Sequence, residues 1–209
     1  MGEAAIGVKR GEFPHPLTPS RKGEFRVLAV FCKKSKESKM IELLNIVGLP
    51  EKFDLCLKFW HEDPADFRPQ GLAINEKALE LAHKNYLLWH EEDKARRLDV
   101  TDAEIAGVKR SIDRLNQQRN DMIEKLDEEI ILQFQQVTPS CQQINSETPG
   151  SIVDRISILS LKVYHMREDT ERTDISAEHR EKSLYRLEVL TVQRQDLYQS
   201  LVQLLSDYR

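Results

Sequence analysis

Acidic side chains at regular spacing are the first residues of this sequence whose types can support chemistry. Glu92 and Asp93 lie on one predicted helix, and Glu124 and Asp127, three residues apart, lie on the next. Residues three apart share a helix face, and carboxylate oxygens are the ligands that Mg²⁺ and Mn²⁺ prefer. The four residues are therefore candidate ligands for Mg²⁺ or Mn²⁺. The alternative is that they form solvated helix faces beside lysines and arginines.

Two similar strings place a histidine between a tryptophan and acidic residues, WHED at residues 60–63 and WHEED at residues 89–93. Imidazole titrates near neutral pH and is a common metal ligand. His61 and His90 are therefore candidate ligands or catalytic bases. The alternative is that both are ordinary helix-surface residues.

Two arginines occupy positions where an apolar residue is expected. Arg119 and Arg194 each interrupt a run of apolar residues with three- and four-residue steps on a long predicted helix. The run around Arg194, which we expect to face the bundle, consists of Leu184, Leu187, Thr191, Arg194, Tyr198, Leu201, Leu205 and Tyr208. Because an isolated buried charge costs several kcal/mol, we expect each arginine to be paired, with Glu92 as the expected partner. The charges can fix helix register, or they can form an electropositive pocket that holds a phosphate or carboxylate.

The start of the fourth predicted helix adds further candidate anion-binding residues. Thr148 and Gly150 lie at its N-terminus, where free backbone amides attract anions. Arg155 and Lys162, seven residues apart, share one line of the same helix. The alternative is that Thr148 simply caps the helix and Glu147 occupies the amides.

Several classes of site are excluded by what the sequence lacks. It contains no G-x-S-x-G, H-E-x-x-H, P-loop or dinucleotide-binding fingerprint, so nucleophilic catalysis has no support. Three scattered cysteines without a C-x-x-C pair argue against a cysteine zinc site and a disulfide framework, and favour a reducing cytoplasm. Because there is no apolar run of about 18 residues and no leader pattern, we expect neither a membrane span nor secretion.

The elements that must position these residues are helices. With 8 Gly, 8 Pro and 32% charged residues among 209, the composition suits long helices rather than an all-β fold. Apolar periodicity and capping residues predict five helices, over residues 38–61 with an interruption near Pro50, 73–97, 102–134, 149–167 and 176–206. Short links predict an all-α, antiparallel up-and-down bundle. The fourth helix, apolar nearly all round, is predicted to be central.

The charge is unevenly distributed along the chain. Residues 1–39 hold nine Lys/Arg and four Asp/Glu, whereas the remainder holds 22 and 31. The first segment has no helical period, so we expect residues 1–39 to be a disordered extension upstream of a native start at Met40. Residues 40–209 are then a single domain. Its acidic balance argues against binding of nucleic-acid phosphate.

Three blocks of sequence together resemble a bacterial family. They are LWHEEDKAR at residues 88–96, IDRLNQQRND at residues 112–121 and NSETPGSIVDRISIL at residues 145–159. In this order they are similar to the domain-of-unknown-function family numbered 4254. The resemblance implies a helical cytosolic protein with no assigned reaction, in a family often encoded among glycosyltransferase and lipopolysaccharide genes. It marks as motif positions Glu92, Asp93, Arg96, Arg119, Asn120, Asp121, Asp154 and Arg155.

The sequence leaves three functional hypotheses open. The first is an accessory protein of cell-surface glycan assembly that binds an anionic small molecule, such as a sugar phosphate or a nucleotide sugar. The second is a metal-dependent nucleotide or phosphoester hydrolase that uses the acidic cluster. The third is a scaffold that docks a glycosyltransferase partner. Neither the ligand nor the oligomeric state follows from the sequence.

Overall fold

The computed structural model describes residues 45–64, 67, 69, 71–134 and 145–207. Within these ranges the chain forms five helices and no strand, which confirms the predicted all-α class. They are α1 (Leu49–Glu62), α2 (Glu76–Ala95), α3 (Asp102–Phe134), α4 (Pro149–Glu171) and α5 (Ala177–Asp207). The four long helices lie within four residues of their predicted bounds. The predicted extension, residues 1–39, lies outside the described residues.

Side-chain caps determine where several of these helices begin. The backbone amide of Thr101 donates to Glu104 Oε2 at 2.8 Å, and the amide of Glu104 donates back to Thr101 Oγ1 at 3.3 Å. This is the predicted capping box at the start of α3. Asn75 caps α2 by accepting from the amides of Lys77 and Ala78. The capping box lies within one helical turn, which explains why the start of α3 was predicted accurately, whereas α2 begins three residues after its predicted start at residue 73.

Helices α2 to α5 alternate in direction. Lys77, near the start of α2, pairs with Glu129, near the end of α3. Ser183, near the start of α5, donates to Asp169, near the end of α4, at 2.6 Å. Gly150, at the start of α4, donates to Asp127, in the last third of α3. The predicted up-and-down arrangement therefore holds for these four helices.

Helix α1 runs parallel to α4. Arg194 of α5 bonds both Asp54 of α1 and Ser160 of α4, and further along both helices His61 stacks on Tyr164. Thirteen residues join α1 to α2, and they can span about 43 Å when extended. That is enough to return along α1, which is about 21 Å long. As a result, the C-terminal halves of α1, α2 and α4 lie at the same end of the bundle.

Helix α4 is the central element, as predicted. It contacts each of the other four helices. Its buried side chains include apolar residues on several faces, such as Ile152, Val153, Ile156, Leu161 and Val163. A helix that is apolar nearly all round is stable only where neighbours cover every face. Several polar side chains of α4 are therefore buried inside the bundle, among them Asp154, Ser157 and Ser160.

The first half of α5 packs against its neighbours with a different face from the one that its leucines predict. The expected series begins at Leu184, but this side chain is 52% exposed and Ser183 is buried in its place. Ser183 faces α4 because its hydroxyl donates to Asp169. Further along, Leu201 and Leu205 are buried as predicted. The apolar period alone thus misplaced the contact face by one residue at one end.

A membrane-crossing helix would need a long, strongly apolar stretch. None of the helices in the described part of the chain has one.

Candidate metal centre

Three histidines from three helices converge at one end of the bundle. His61 lies at the end of α1, His90 in the second half of α2 and His165 in the second half of α4. One ring nitrogen of each lies within 4.8 Å of the others. All three side chains are partly exposed, so the cluster lies near the surface. The parallel course of α1, α2 and α4 brings these residues together.

Hydrogen bonds fix the protonation of two of the rings. His61 Nδ1 lies 2.7 Å from the carbonyl oxygen of Leu57, and His165 Nδ1 lies 2.8 Å from Glu168 Oε2. A carbonyl or an ionised carboxylate only accepts hydrogen bonds, so each Nδ1 must carry the proton. In the neutral ring the Nε2 atom is then a lone-pair acceptor. Histidines that bind metals are commonly held in this way, by an oxygen that accepts from the ring nitrogen not bound to the metal.

The Nε2 atoms of His61, His90 and His165 are all buried and have no hydrogen-bond partner among the described residues. A buried polar atom without a partner costs about 1–3 kcal/mol, and native proteins contain few of them. At least two of these atoms carry a lone pair, and one ring nitrogen of each histidine lies within 4.8 Å of the others. A cation bound by the three histidines would give such nitrogens a partner.

The environment of His90 favours the neutral ring that a metal requires. Burial lowers the pKa of His90 below its usual range, and protonated His61 and His165 would lower this pKa further. Metals bind the deprotonated imidazole. His90 therefore stays neutral, and available as a ligand, at neutral pH.

Aromatic side chains hold the three rings in place. Tyr164 stacks on His61 with ring centroids 4.3 Å apart, and Trp89 stacks on His165 at 4.8 Å. Tyr86 contacts His61 and His90 edge-on, at 5.0 and 4.5 Å. Such packing restricts ring rotation, so the ligand set is largely preorganised.

The donor set indicates the kind of metal. Imidazole nitrogens suit Zn²⁺, Cu²⁺, Ni²⁺ and Fe²⁺, whereas Mg²⁺ and Mn²⁺ prefer oxygen. Zinc–imidazole bonds of about 2.0–2.1 Å place the nitrogens of a tetrahedral site about 3.3 Å apart. The observed spacing is therefore compatible with metal binding after small ring movements. Three protein ligands and one open position are typical of catalytic zinc sites.

The arginines in the apolar seams have partners other than the expected Glu92. Arg119 Nε lies 3.2 Å from Asp154 Oδ1, an ion pair whose alignment does not make a hydrogen bond. Asp154 also accepts from Asn85 Nδ2 at 2.8 Å. Burial raises the pKa of Asp154, while the Asn85 bond and the Arg119 charge act in the opposite direction. The expectation that Glu92 compensates Arg119 and Arg194 is wrong, because nearer carboxylates do so.

Arg194 is fixed in a separate ion pair. Its Nη1 donates to Asp54 Oδ1 of α1 at 2.5 Å and lies 3.3 Å from Ser160 Oγ of α4. The side chain is 9% exposed. Arg194 therefore joins α5 to α1 and α4. Its partners are far from it in the sequence, so local sequence patterns could not predict them. It does not share a cluster with Arg119.

The N-terminus of α4 is occupied by the protein's own groups. Thr148 accepts from the amide of Ser151, and the amide of Gly150 donates to Asp127 Oδ1 at 2.6 Å. Arg155 forms an ion pair with Glu147. The backbone amides of Gly150 and Ser151 and the charge of Arg155 therefore already have partners within the protein, whereas the anion-binding hypothesis requires them for a ligand. Lys162 is exposed and lies further along α4.

The other candidate residues are dispersed. Asp93 pairs with Arg96 at 2.8 Å, Glu124 and Asn120 are exposed, and Asp127 bonds α4 as described. Among the described residues, the group of three or more metal-ligating side chains is the histidine cluster. His61 and His90 were candidate ligands from the repeated WHE string. His165 carries no such string, and only the packing of α4 reveals it.

A comparison with protein families identifies the chain. Residues 75–209 match the model of a family described as a protein of unknown function (DUF4254). The chain belongs to the DUF4254 family. The match to DUF4254 covers α2 to α5, which carry His90 and His165, and begins after α1, which carries His61. No curated protein and no solved structure gave a significant match.

Proposed function

We propose that this DUF4254 protein is a metal-dependent hydrolase whose divalent metal is held by His61, His90 and His165. The observation that supports this most strongly is the convergence of one ring nitrogen from each of the three histidines, together with the three buried Nε2 atoms that have no partner among the described residues. Zinc is the expected metal, since the donors are all imidazole nitrogens. This assignment moves the proposed hydrolytic centre from the acidic residues to the histidines.

The chemistry follows from the open coordination position. A zinc ion with three histidine ligands lowers the pKa of its bound water to about 7 and so generates hydroxide at neutral pH. Zinc held by His61, His90 and His165 would in this way supply the nucleophile for ester hydrolysis, in which one water is consumed and an acid and an alcohol are released. The aromatic side chains around the histidines hold the ligands rigid and limit access of bulk water.

Hydrolysis of chromogenic esters by the Zn²⁺-loaded chain tests the proposal. The panel consists of p-nitrophenyl phosphate, bis(p-nitrophenyl) phosphate and p-nitrophenyl acetate. We expect turnover of at least one ester, loss of this turnover with a chelator, and loss in His90→Ala. His179→Gln, a change on α5 outside the cluster, should retain it. Metal binding without turnover of any ester would reject the hydrolase and leave a metal-binding protein.

Binding of a small anion is a second candidate function, supported by a groove between α4 and α5. The groove has a volume of about 440 Å³ and is lined by Arg155, Lys162, Gln193 and Asp196 among others. Lys162 forms no ion pair with any described residue, unlike Arg155. Titration with inorganic phosphate would test this function. We expect binding that Lys162→Ala weakens, and equal binding by both chains would reject the groove as the site.

A glycosyltransferase partner and a cytoplasmic location stay predictions. The first half of α5 exposes apolar side chains, Leu184, Tyr185, Val189 and Val192, which a partner could cover. Co-purification from the native host should recover a glycosyltransferase with the unmodified chain but not with Tyr185→Glu. Equal recovery with both chains would remove α5 as the docking face.

A further inference from the structure

A cavity of about 220 Å³ lies between α2, α3 and α4, next to the histidine cluster. Leu88, Trp89, Ile158 and Leu161 form its apolar walls. Its size suits one substituted ring rather than a dinucleotide. Most ligand sites combine apolar walls of this kind with a few placed polar groups.

Trp89 joins this cavity to the metal centre. Its indole lines the cavity and also stacks on His165, with ring centroids 4.8 Å apart and planes 10° from parallel. A ligand in the cavity would therefore contact the residue that packs against His165 of the candidate metal centre. Its position suits recognition of the part of a substrate that does not react.

The two arginines that line the cavity carry charges that are already compensated. Arg119 is paired with Asp154, which lies behind it inside the bundle, and its Nη1 also donates to Asn116 at 3.2 Å. Arg96 is paired with Asp93. The cavity therefore offers hydrogen-bond donors from these side chains without a net positive charge. Such an environment does not favour a phosphate.

Glu92 is the charged residue of the cavity lining that has no charged partner among the described residues. Its carboxylate lines the cavity and forms no hydrogen bond or ion pair with any described residue. An ionised carboxylate accepts hydrogen bonds and does not donate them. The group that it recognises must therefore be a donor, and a charge-assisted bond to it is about twice as strong as a neutral one.

We propose that this cavity binds a neutral or singly positive ring with an exocyclic amino group, which donates to Glu92 while the ring lies against Trp89. Two sources share this chemistry, a nucleobase and an amino sugar. This inference rests on the proposed function only where it makes the ring part of the substrate of the metal centre. Ring binding itself requires no metal.

Matched ligand pairs test the proposal by isothermal titration calorimetry on the metal-free full chain. Cytidine is compared with uridine, and glucosamine with glucose, so that each pair differs chiefly in the amino group. We expect one amino-bearing ligand to bind at least ten-fold more tightly than its partner. A preference for cytidine identifies a nucleobase as the ligand, and a preference for glucosamine identifies an amino sugar. Equal binding within both pairs, or no heat at 10 mM of any ligand, would overturn the proposal.

Substitution of Glu92 assigns the preference to this side chain. Glu92→Gln should reduce the amino preference about ten-fold, because the amide keeps the shape but loses the charge that strengthens the bond. Glu80→Gln, an exposed change on the same helix, is the matched control. Circular dichroism confirms that each variant is folded. An unchanged preference in Glu92→Gln would contradict the proposal, while metal content of the same variant reports separately on the histidine centre.

Discussion

Glu168 Oε2 lies 2.8 Å from Nδ1 of His165, three residues earlier on α4. This bond fixes the proton of His165 on Nδ1 and so leaves the lone pair on Nε2, the nitrogen that is buried without a partner among the described residues. Carboxylates that accept from the other ring nitrogen hold a metal-binding histidine in its tautomer and orientation. Glu168 thus prepares His165 for a metal, although Glu168 itself is largely exposed.

Glu168→Gln should weaken metal binding without unfolding the protein. The neutral amide can still accept from Nδ1 but gives a weaker bond. Loss of the group that holds a metal-binding histidine typically costs about 10–100-fold in metal affinity. Competition between the protein and a chromophoric Zn²⁺ chelator measures this affinity. Glu178→Gln, which removes an exposed carboxylate paired with Lys182 on α5, is the control. Equal affinities in the two variants would show that Glu168 has no role at the centre.

Removal of one histidine should separate metal binding from stability. In the metal-free protein, His90→Leu replaces a buried, unpartnered nitrogen by an apolar group, so the melting temperature should stay the same or rise. With Zn²⁺ present, the unmodified chain should melt several degrees higher and the variant should not respond. Differential scanning calorimetry with and without Zn²⁺ measures both effects. A large loss of stability in metal-free His90→Leu would instead make this histidine a core residue.

Gly150 and Gly107 should respond oppositely to alanine. A Cβ atom at Gly150 would lie 2.7 Å from the carbonyl oxygen of Ile123, whereas one at Gly107 meets nothing within 4 Å. Gly150→Ala should therefore lower the free energy of unfolding by about 1–3 kcal/mol through overpacking. Gly107→Ala, inside α3, should raise it by about 0.5–1 kcal/mol. Urea unfolding measures both changes, and equal effects would refute the close approach of α4 to α3.

His83 should make stability fall in mild acid. Burial, and to a lesser extent the charge of Lys84, lowers the pKa of His83 to about 4 in the folded protein. An unfolded histidine titrates near 6.5, so the unfolded state takes up the proton first as the pH falls from about 6.5 to about 4. The stability associated with neutral His83 is present above this range and is lost within it.

The measurement is the unfolding free energy of metal-free protein between pH 7 and pH 4. The unmodified chain should lose stability over this interval more steeply than His83→Gln, which cannot be protonated there. Metal-free conditions are needed because protonation of the three clustered histidines would also release metal. Parallel slopes for the two chains would show that His83 does not titrate as its burial predicts.

Much of the fold could be predicted from the sequence because its signals are local. The Thr101–Glu104 box and Thr148 before Pro149 use bonds within one helical turn, and both marked helix starts accurately. The all-round apolar character of α4 likewise predicted its central place. The face of α5 was predicted less well, because Ser183 is drawn inward by Asp169 of another helix rather than by its own hydrophobicity.

The site depends on relations between helices, which a single sequence does not contain. His61, His90 and His165 converge only because α1, α2 and α4 run in parallel with a particular axial offset. The partners of Arg119 and Arg194 could not be predicted for the same reason. Asp154 and Asp54 lie on other helices, and apolar periodicity does not show which helices are neighbours. Residue type identified the groups that need partners. The packing of the helices decided which partners they have.

Metal stoichiometry of the untagged full-length protein tests the central claim most directly. The protein is dialysed against Zn²⁺, freed of loosely bound ions on a desalting column and analysed by mass spectrometry of the elements. The account predicts about one zinc per chain for the unmodified protein and His179→Gln, and almost none for His90→Ala or His165→Ala. Zinc content that is negligible in the unmodified chain, or equal in all four proteins, would contradict it.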